Sequence, residues 1–158
     1  MVLIDEGSKL CSHGFSFRNW PGPGEEAAAG FGLSHAVIIP PNARTVVVGG
    51  QVGFKDDGTV PSDLASEVEE AFEHVERALR AAGLGEDAWE HVYKITTFEI
   101  STPGLIEAVL ATARKYLKNT KPAWTGIGVA SLLDPALHIE ITVEAYIPEQ
   151  AKGTGERL

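Results

Sequence analysis

One cysteine in 158 residues, Cys11, leaves no partner for an internal disulfide. A reducing, intracellular setting is the expectation, with the cytoplasm as its simplest form. Basic side chains are also scarce: 13 Lys and Arg stand against 22 Asp and Glu, a formal charge of −9. Nucleic-acid binding draws largely on cations that neutralise phosphates, and no Lys/Arg cluster is visible, so nucleic acid is not an expected partner. No apolar run reaches the roughly 18 residues of a membrane span, and the first residues lack the basic-then-apolar pattern of a secretory leader. His13, His35, His74, His91 and His138 are scattered without metal-ligand spacing, so no metal is expected. The glycine-rich Pro21–Gly30 lacks the Gly-Lys-Ser/Thr ending of a phosphate loop, and no Gly-x-Ser-x-Gly elbow occurs. No cofactor is expected.

What is present is a globular composition, 44% hydrophobic, enough for one core and one domain spanning 1–158. Residues 1–30 read as an irregular extension; Asn19–Gly32, with two prolines and four glycines, reads as a surface loop. Residues 149–158 read as a frayed tail. Between them, apolar runs at Ser34–Pro40, Arg44–Gly50 and His91–Ile100 predict strands, the first two joined as a hairpin through Pro-Pro-Asn-Ala. Leu64, Val68, Phe72, Val75 and Leu79 fall at helical spacing, with Ser62 as cap and Gly83 as stop. A second helix starts at Thr102-Pro103 and carries the stripe Leu105, Val109, Leu110, Ala113, Leu117. The final strand alternates cleanly: Leu137, Ile139, Ile141, Val143, Ala145 and Ile147 on one side, His138, Glu140, Thr142, Glu144 and Tyr146 on the other. The order β-β-α-β-α-β-β gives an α+β fold, a mixed sheet with two helices packed on one face.

The run Lys121–Ala130, KPAWTGIGVA, sets its largest side chain beside two residues with none. Alternation puts Trp124, Gly126 and Gly128 on one face and Ile127 and Val129 on the other. The simplest arrangement turns Ile127 and Val129 to the helices. Trp124 then shares the uncovered face with Glu140, Thr142 and Glu144 and walls a pocket there. Glu140 and Glu144 lie four apart on one face, roughly 13 Å along a strand, too far for a dyad acting on one bond. Either alone could serve as acid or base. Gly49-Gly50-Gln51 ends a strand; its bare amides could approach a ligand's carbonyl, or it could be a turn requiring positive φ.

The ordered segments SHAVII, TVVVGGQVG, RALRAAGLG, HVYKITTFEIS, KPAWTGIGVASLL and HIEITVEAYIP resemble the reactive intermediate deaminase (Rid) family, also called YjgF or L-PSP, over residues 31–148. The resemblance implies a chorismate-mutase-like fold and a homotrimer forming a barrel, with sheets inward, helices outward and a cleft between neighbouring subunits. The activity it implies is hydrolysis of reactive enamines and imines, such as 2-aminoacrylate, to keto acids and ammonia. Family labels also include endoribonuclease.

Several positions depart from the deaminating members. Their arginine after Pro-Ala, which holds the substrate carboxylate, is Trp124 here, and their cysteine two residues on is Gly126. Their last-strand glutamate falls at Thr142, or at Glu144 with a two-residue shift. Their tyrosine before the Ser-Gln-Ala-Val stretch is Leu33, and their second-helix asparagine is Leu110. Their Ser-Gly-Gln is Gly49-Gly50-Gln51, so its backbone part survives. Tryptophan cannot hold a carboxylate bidentately. The expected ligand is therefore a small, largely uncharged carbonyl, enol or imine, with Glu140, Glu144 or His35 moving the proton. The expected reactions are tautomerisation, cyclisation, condensation or hydrolysis in specialised metabolism. Residual enamine deamination and non-catalytic metabolite binding are the alternatives.

Overall fold

The computed structural model describes residues 2–3 and 7–149; the tail read at 149–158 lies outside them but for Glu149. Two sheets form. The smaller joins β1 (Val2–Leu3), β2 (Ser16–Asn19) and β3 (Ala36–Ile38) in that order, all antiparallel. The larger contains β4 (Thr45–Val52), β5 (Val92–Glu99), β6 (Ala123–Gly128) and β7 (Ile139–Tyr146), in the order β4-β7-β5-β6. Only β5 and β6 run parallel. A parallel neighbour needs a crossover, and α3 (Leu105–Leu117) supplies it. The mixed sheet and the two helices follow the sequence reading. The hairpin does not: β3 pairs with β2, and β4 pairs with β7.

Helix α2 (Leu64–Ala81) forms because its apolar residues repeat at helical spacing and its first turn is capped. The cap is Asp63 rather than Ser62; its carboxylate accepts from Ser66 N at 2.8 Å. Val68, Phe72, Val75 and Leu79 are fully buried against Ile139, Ile141 and Val143 of β7. Leu105, Val109, Ala113 and Leu117 of α3 complete this core. The N-cap of α3 is Gly104, not Thr102.

The loop expected at 19–32 contains a helix, α1 (Pro23–Phe31). Pro23 occupies its first turn, where a missing N–H costs nothing, and Glu25 and Glu26 face the positive end of the helix dipole. Gly32 ends it at φ 71°, donating to the Ala28 and Ala29 carbonyls. Composition suggested a loop; the placement of Pro, Glu and Gly was that of a capped helix.

The face assignment of β6 is reversed from expectation. Trp124 pairs in register with Ile95, and Gly126 with Thr97. Ile95 is buried in the helix-side core, so Trp124 and Gly126 face the helices, and Trp124 packs against that core. Ile127 pairs with Phe98 on the opposite, uncovered face and is 39% exposed. That face also carries Glu140, Thr142 and Glu144, as expected, with Val47 and Lys94 beside Glu144. Gly49 and Gly50 lie inside β4, at the register shift between Val48 and Gln51, with no positive φ. Gly50 makes room on that face: the Glu140 carboxylate lies where a Cβ would point and would have to move for a larger residue.

One buried carboxylate ties the layers together. Glu67 on α2 is 1% exposed. It accepts from the His138 backbone N–H at 2.6 Å and lies 2.8 Å from His138 Nδ1. Charge-assisted bonds of this kind are worth more than neutral ones. Glu67→Ala should lower unfolding free energy by about 2–4 kcal/mol, read as a shifted urea midpoint at unchanged slope.

Candidate active site

Beneath α3, on the helix side of the sheet, lies an open cavity of about 300 Å³. Trp124 and Gly126 of β6, Thr97 and Glu99 of β5, and Ile106, Val109 and Leu110 of α3 line it. Phe31 and Leu33, at and just beyond the end of α1, close one side. Ser34 holds that side in place. It bridges to Ala123, its N–H donates to Pro122 O at 3.0 Å, and its hydroxyl donates to Lys121 O at 2.5 Å. The free edge of β6 is thereby pinned to the segment that carries Leu33.

The polar groups of the cavity form one directed chain. Trp124 Nε1–H donates to Thr97 Oγ1 at 3.2 Å. The Thr97 hydroxyl, 1% exposed, donates to Glu99 Oε2 at 3.3 Å. A hydroxyl has one proton to give, so accepting from the indole frees it to serve the carboxylate. Desolvation pushes the Glu99 carboxyl above its ordinary value, and the Thr97 bond partly opposes this. Gly126 keeps the carboxylate clear: a Cβ there would stand 3.1 Å from Glu99 Oε2. Glu99 is the one ionisable side chain in the lining.

Four residues named from sequence, Leu33, Leu110, Trp124 and Gly126, meet in this cavity. The others lie elsewhere. Glu140 borders a separate groove of about 380 Å³ on the uncovered face, with Phe98, Val129 and Leu133. Thr142 and Glu144 border a smaller depression near Val47 and Lys94. Glu144 is engaged there: Tyr93 Oη donates to it at 3.0 Å, and Lys94 Nζ is 3.6 Å away. Burial and that carboxylate push the Tyr93 hydroxyl up to about 12. His35 stacks on Trp20 at 5.0 Å, and its Nδ1 accepts from Trp20 N. It does not line the cavity. Gly49, Gly50 and Gln51 do not line it either; the Gln51 amide donates to Gly49 O at 3.3 Å.

Thr97 and Glu99 were not found from sequence. The signal was their parity with Ile95: alternation along β5 turns 95, 97 and 99 to one face. A cationic cluster escaped notice too. Arg114, Lys118 and Lys121 line a depression of about 180 Å³ beyond Phe31 and Leu110, outside the cavity. Lys118 is 3.4 Å from Glu90. Among the described residues, no group of His, Cys, Asp and Glu gathers as a metal site.

The sequence profile of the family described as Endoribonuclease L-PSP matches residues 25–147. The RutC family protein YjgH of Escherichia coli K12 is 32% identical over 104 residues, covering 65% of this chain and 76% of that protein. Among solved structures, a conserved Rid-family protein of unknown function from Yersinia pestis, YyfB, superposes with a TM-score of 0.68 at 28% identity, covering 82% of this chain and 98% of that one. A putative endoribonuclease from Thermotoga maritima gives 0.59 at 25% identity, covering 73% and 86%.

The raised Glu99 pKa sets a linkage with a definite sign. The folded state holds this proton more tightly than the unfolded chain. Stability associated with Glu99 is therefore full below the ordinary carboxylate value and is lost as pH rises through the raised one. Glu99→Gln, which cannot ionise, should melt at a higher temperature than wild type at neutral pH. The gap should close on acidification below the ordinary carboxylate range, as read by paired thermal melts.

Proposed function

Because the chain belongs to the Rid (YjgF, endoribonuclease L-PSP) family and has its chorismate-mutase-like fold, we propose that the cavity beneath α3 is its small-molecule site. The ligand is small, mostly apolar and without a carboxylate anchor: a carbonyl, enol or imine. The carrying observation is the wall itself. Leu33, Leu110 and Trp124 converge on the cavity, and among the described residues no cationic side chain lines it. A carboxylate entering there would meet Glu99, a like charge, in place of a guanidinium.

Glu99 replaces Glu140, Glu144 and His35 as the proton-handling group in this reading. Its half-buried position and raised pKa suit a general acid that becomes a base after donating. The reactions are those in which one carboxyl moves protons on a bound carbonyl or imine: tautomerisation, cyclisation, condensation or hydrolysis. Self-association as a homotrimer goes with this proposal. The uncovered sheet face supports it, carrying Val47 at 72% and Leu133 at 103% exposure. Sedimentation at about three times the 16.9 kDa chain mass is the expected result, and a monomer at micromolar concentration would count against it. RNA cleavage is disfavoured by the charge of −9 and by the anionic group in the cavity.

The discriminating assay generates 2-aminoacrylate beside the protein and follows pyruvate. Wild type should release it no faster than the uncatalysed reaction; robust turnover would overturn the reading. Trp124→Arg alone should not rescue deamination, because the new guanidinium lies within reach of Glu99 and pairs with it. Trp124→Arg with Glu99→Gln should gain carboxylate affinity by about tenfold or more over the single variant, by calorimetry with pyruvate.

A further inference from the structure

Glu99 is a carboxylate inside an apolar cavity with little to hold its charge. Thr97 is the one donor to its side chain among the described residues. An ionised carboxylate can accept about four hydrogen bonds, and burial without a countercharge is unfavourable. No lysine, arginine or histidine lines the cavity from α1, α3, β5 or β6. Among the described residues no cation completes Glu99, and a bound ligand could.

The neighbours of Glu99 state the chemistry of that group. Trp124 and Phe31 contribute aromatic surface to the same cavity, and a π face attracts cations. The indole N–H is already committed to Thr97, which fixes the ring's orientation. Gly126 leaves open the space next to Glu99 Oε2. One carboxylate, two aromatic rings and an apolar remainder form a receptor for an organic cation.

We propose that the cavity selects a protonated nitrogen, a small apolar amine or iminium whose N–H faces Glu99 and whose hydrocarbon body lies against Trp124, Phe31 and Leu110. The inference rests on reading the cavity as the ligand site and takes the imine of that reading in its protonated form, together with amines of the same charge. The nearby Arg114, Lys118 and Lys121 depression is the competing feature: an anionic ligand seated across Phe31 would prefer it.

Three probes of one shape and different charge decide the matter: benzylamine, benzyl alcohol and benzoate, titrated into the intact protein by calorimetry at neutral pH. Benzylamine should bind at least about tenfold more tightly than benzyl alcohol, and benzoate should bind least. Glu99→Gln should bring benzylamine down to the level of the alcohol while leaving the alcohol within about twofold. Equal binding of amine and alcohol to wild type overturns the charge selection but leaves the cavity as a site for neutral ligands. Preference for benzoate overturns it in favour of the Arg114 side. Binding by none of the three removes the ligand site itself. The wild-type series is decisive even if the variant does not fold.

Discussion

The pairing of β5 with β6 is the constraint on which the site depends. In this parallel ladder Ile95 stands beside Trp124 and Thr97 beside Gly126. A slip of one residue would turn Trp124 to the uncovered face and bring Ile127 under α3. The register is held from both sides. Ile95 and Val143 share the buried face of β5 and β7, and Ser34 clamps the outer edge of β6 through Lys121, Pro122 and Ala123. Once the register is set, Trp124 reaches Thr97, Thr97 reaches Glu99, and Gly126 leaves the carboxylate exposed to the cavity.

Elements with a strong period were legible in the residues alone. Helix α2 and strand β7 each carry a long uninterrupted pattern, and both formed where expected with ends shifted by one or two residues. Strand β6 carried the same kind of pattern but gave the wrong face. Alternation separates two sets of side chains without saying which set is covered. In β7 the sets differ in polarity, so the choice was made by chemistry. In β6 one set holds Trp124 and two glycines, the other Ala123, Thr125 and Ile127, and a single hydroxyl is too weak a contrast to decide between them. The partner strand made the choice, and pairing between distant strands is not written in a local window. The hairpin expected between β3 and β4 failed in the same way: its turn residues were suitable, but each strand found a better partner elsewhere.

The candidate site divides along similar lines. Of the positions transferred by family resemblance, Leu33, Leu110, Trp124 and Gly126 come from three separate stretches of chain into one helix-side cavity, while Gly49, Gly50, Gln51 and Thr142 lie elsewhere. The carboxylates singled out on β7 stayed on the other face, and each has local work. Glu140 packs over Gly50, and Glu144 takes the Tyr93 hydroxyl and the Lys94 ammonium. Glu99 escaped because it closes a run rich in threonine and aromatic residues that already carries one charge, Lys94, on the opposite face. Charge at an inward position is the more informative signal, since an inward polar group must find a partner or a function.

Trp124, Thr97, Glu99 and Gly126 behave as one unit rather than four independent substitutions. Without the indole N–H, the buried Thr97 oxygen would lose its donor. Without Thr97, Glu99 would lose its hydrogen bond and become harder still to ionise. A side chain at 126 would press on the carboxylate. The aromatic ring and the acid therefore support one another, and both oppose an anion in the same space. A fixed positive charge near position 124 would favour a carboxylate ligand. Here an acid, Glu99, stands within two hydrogen bonds of that position. On the proposed reading the two arrangements would oppose each other electrostatically, and the scaffold's shape would be retained with its charge selection reversed.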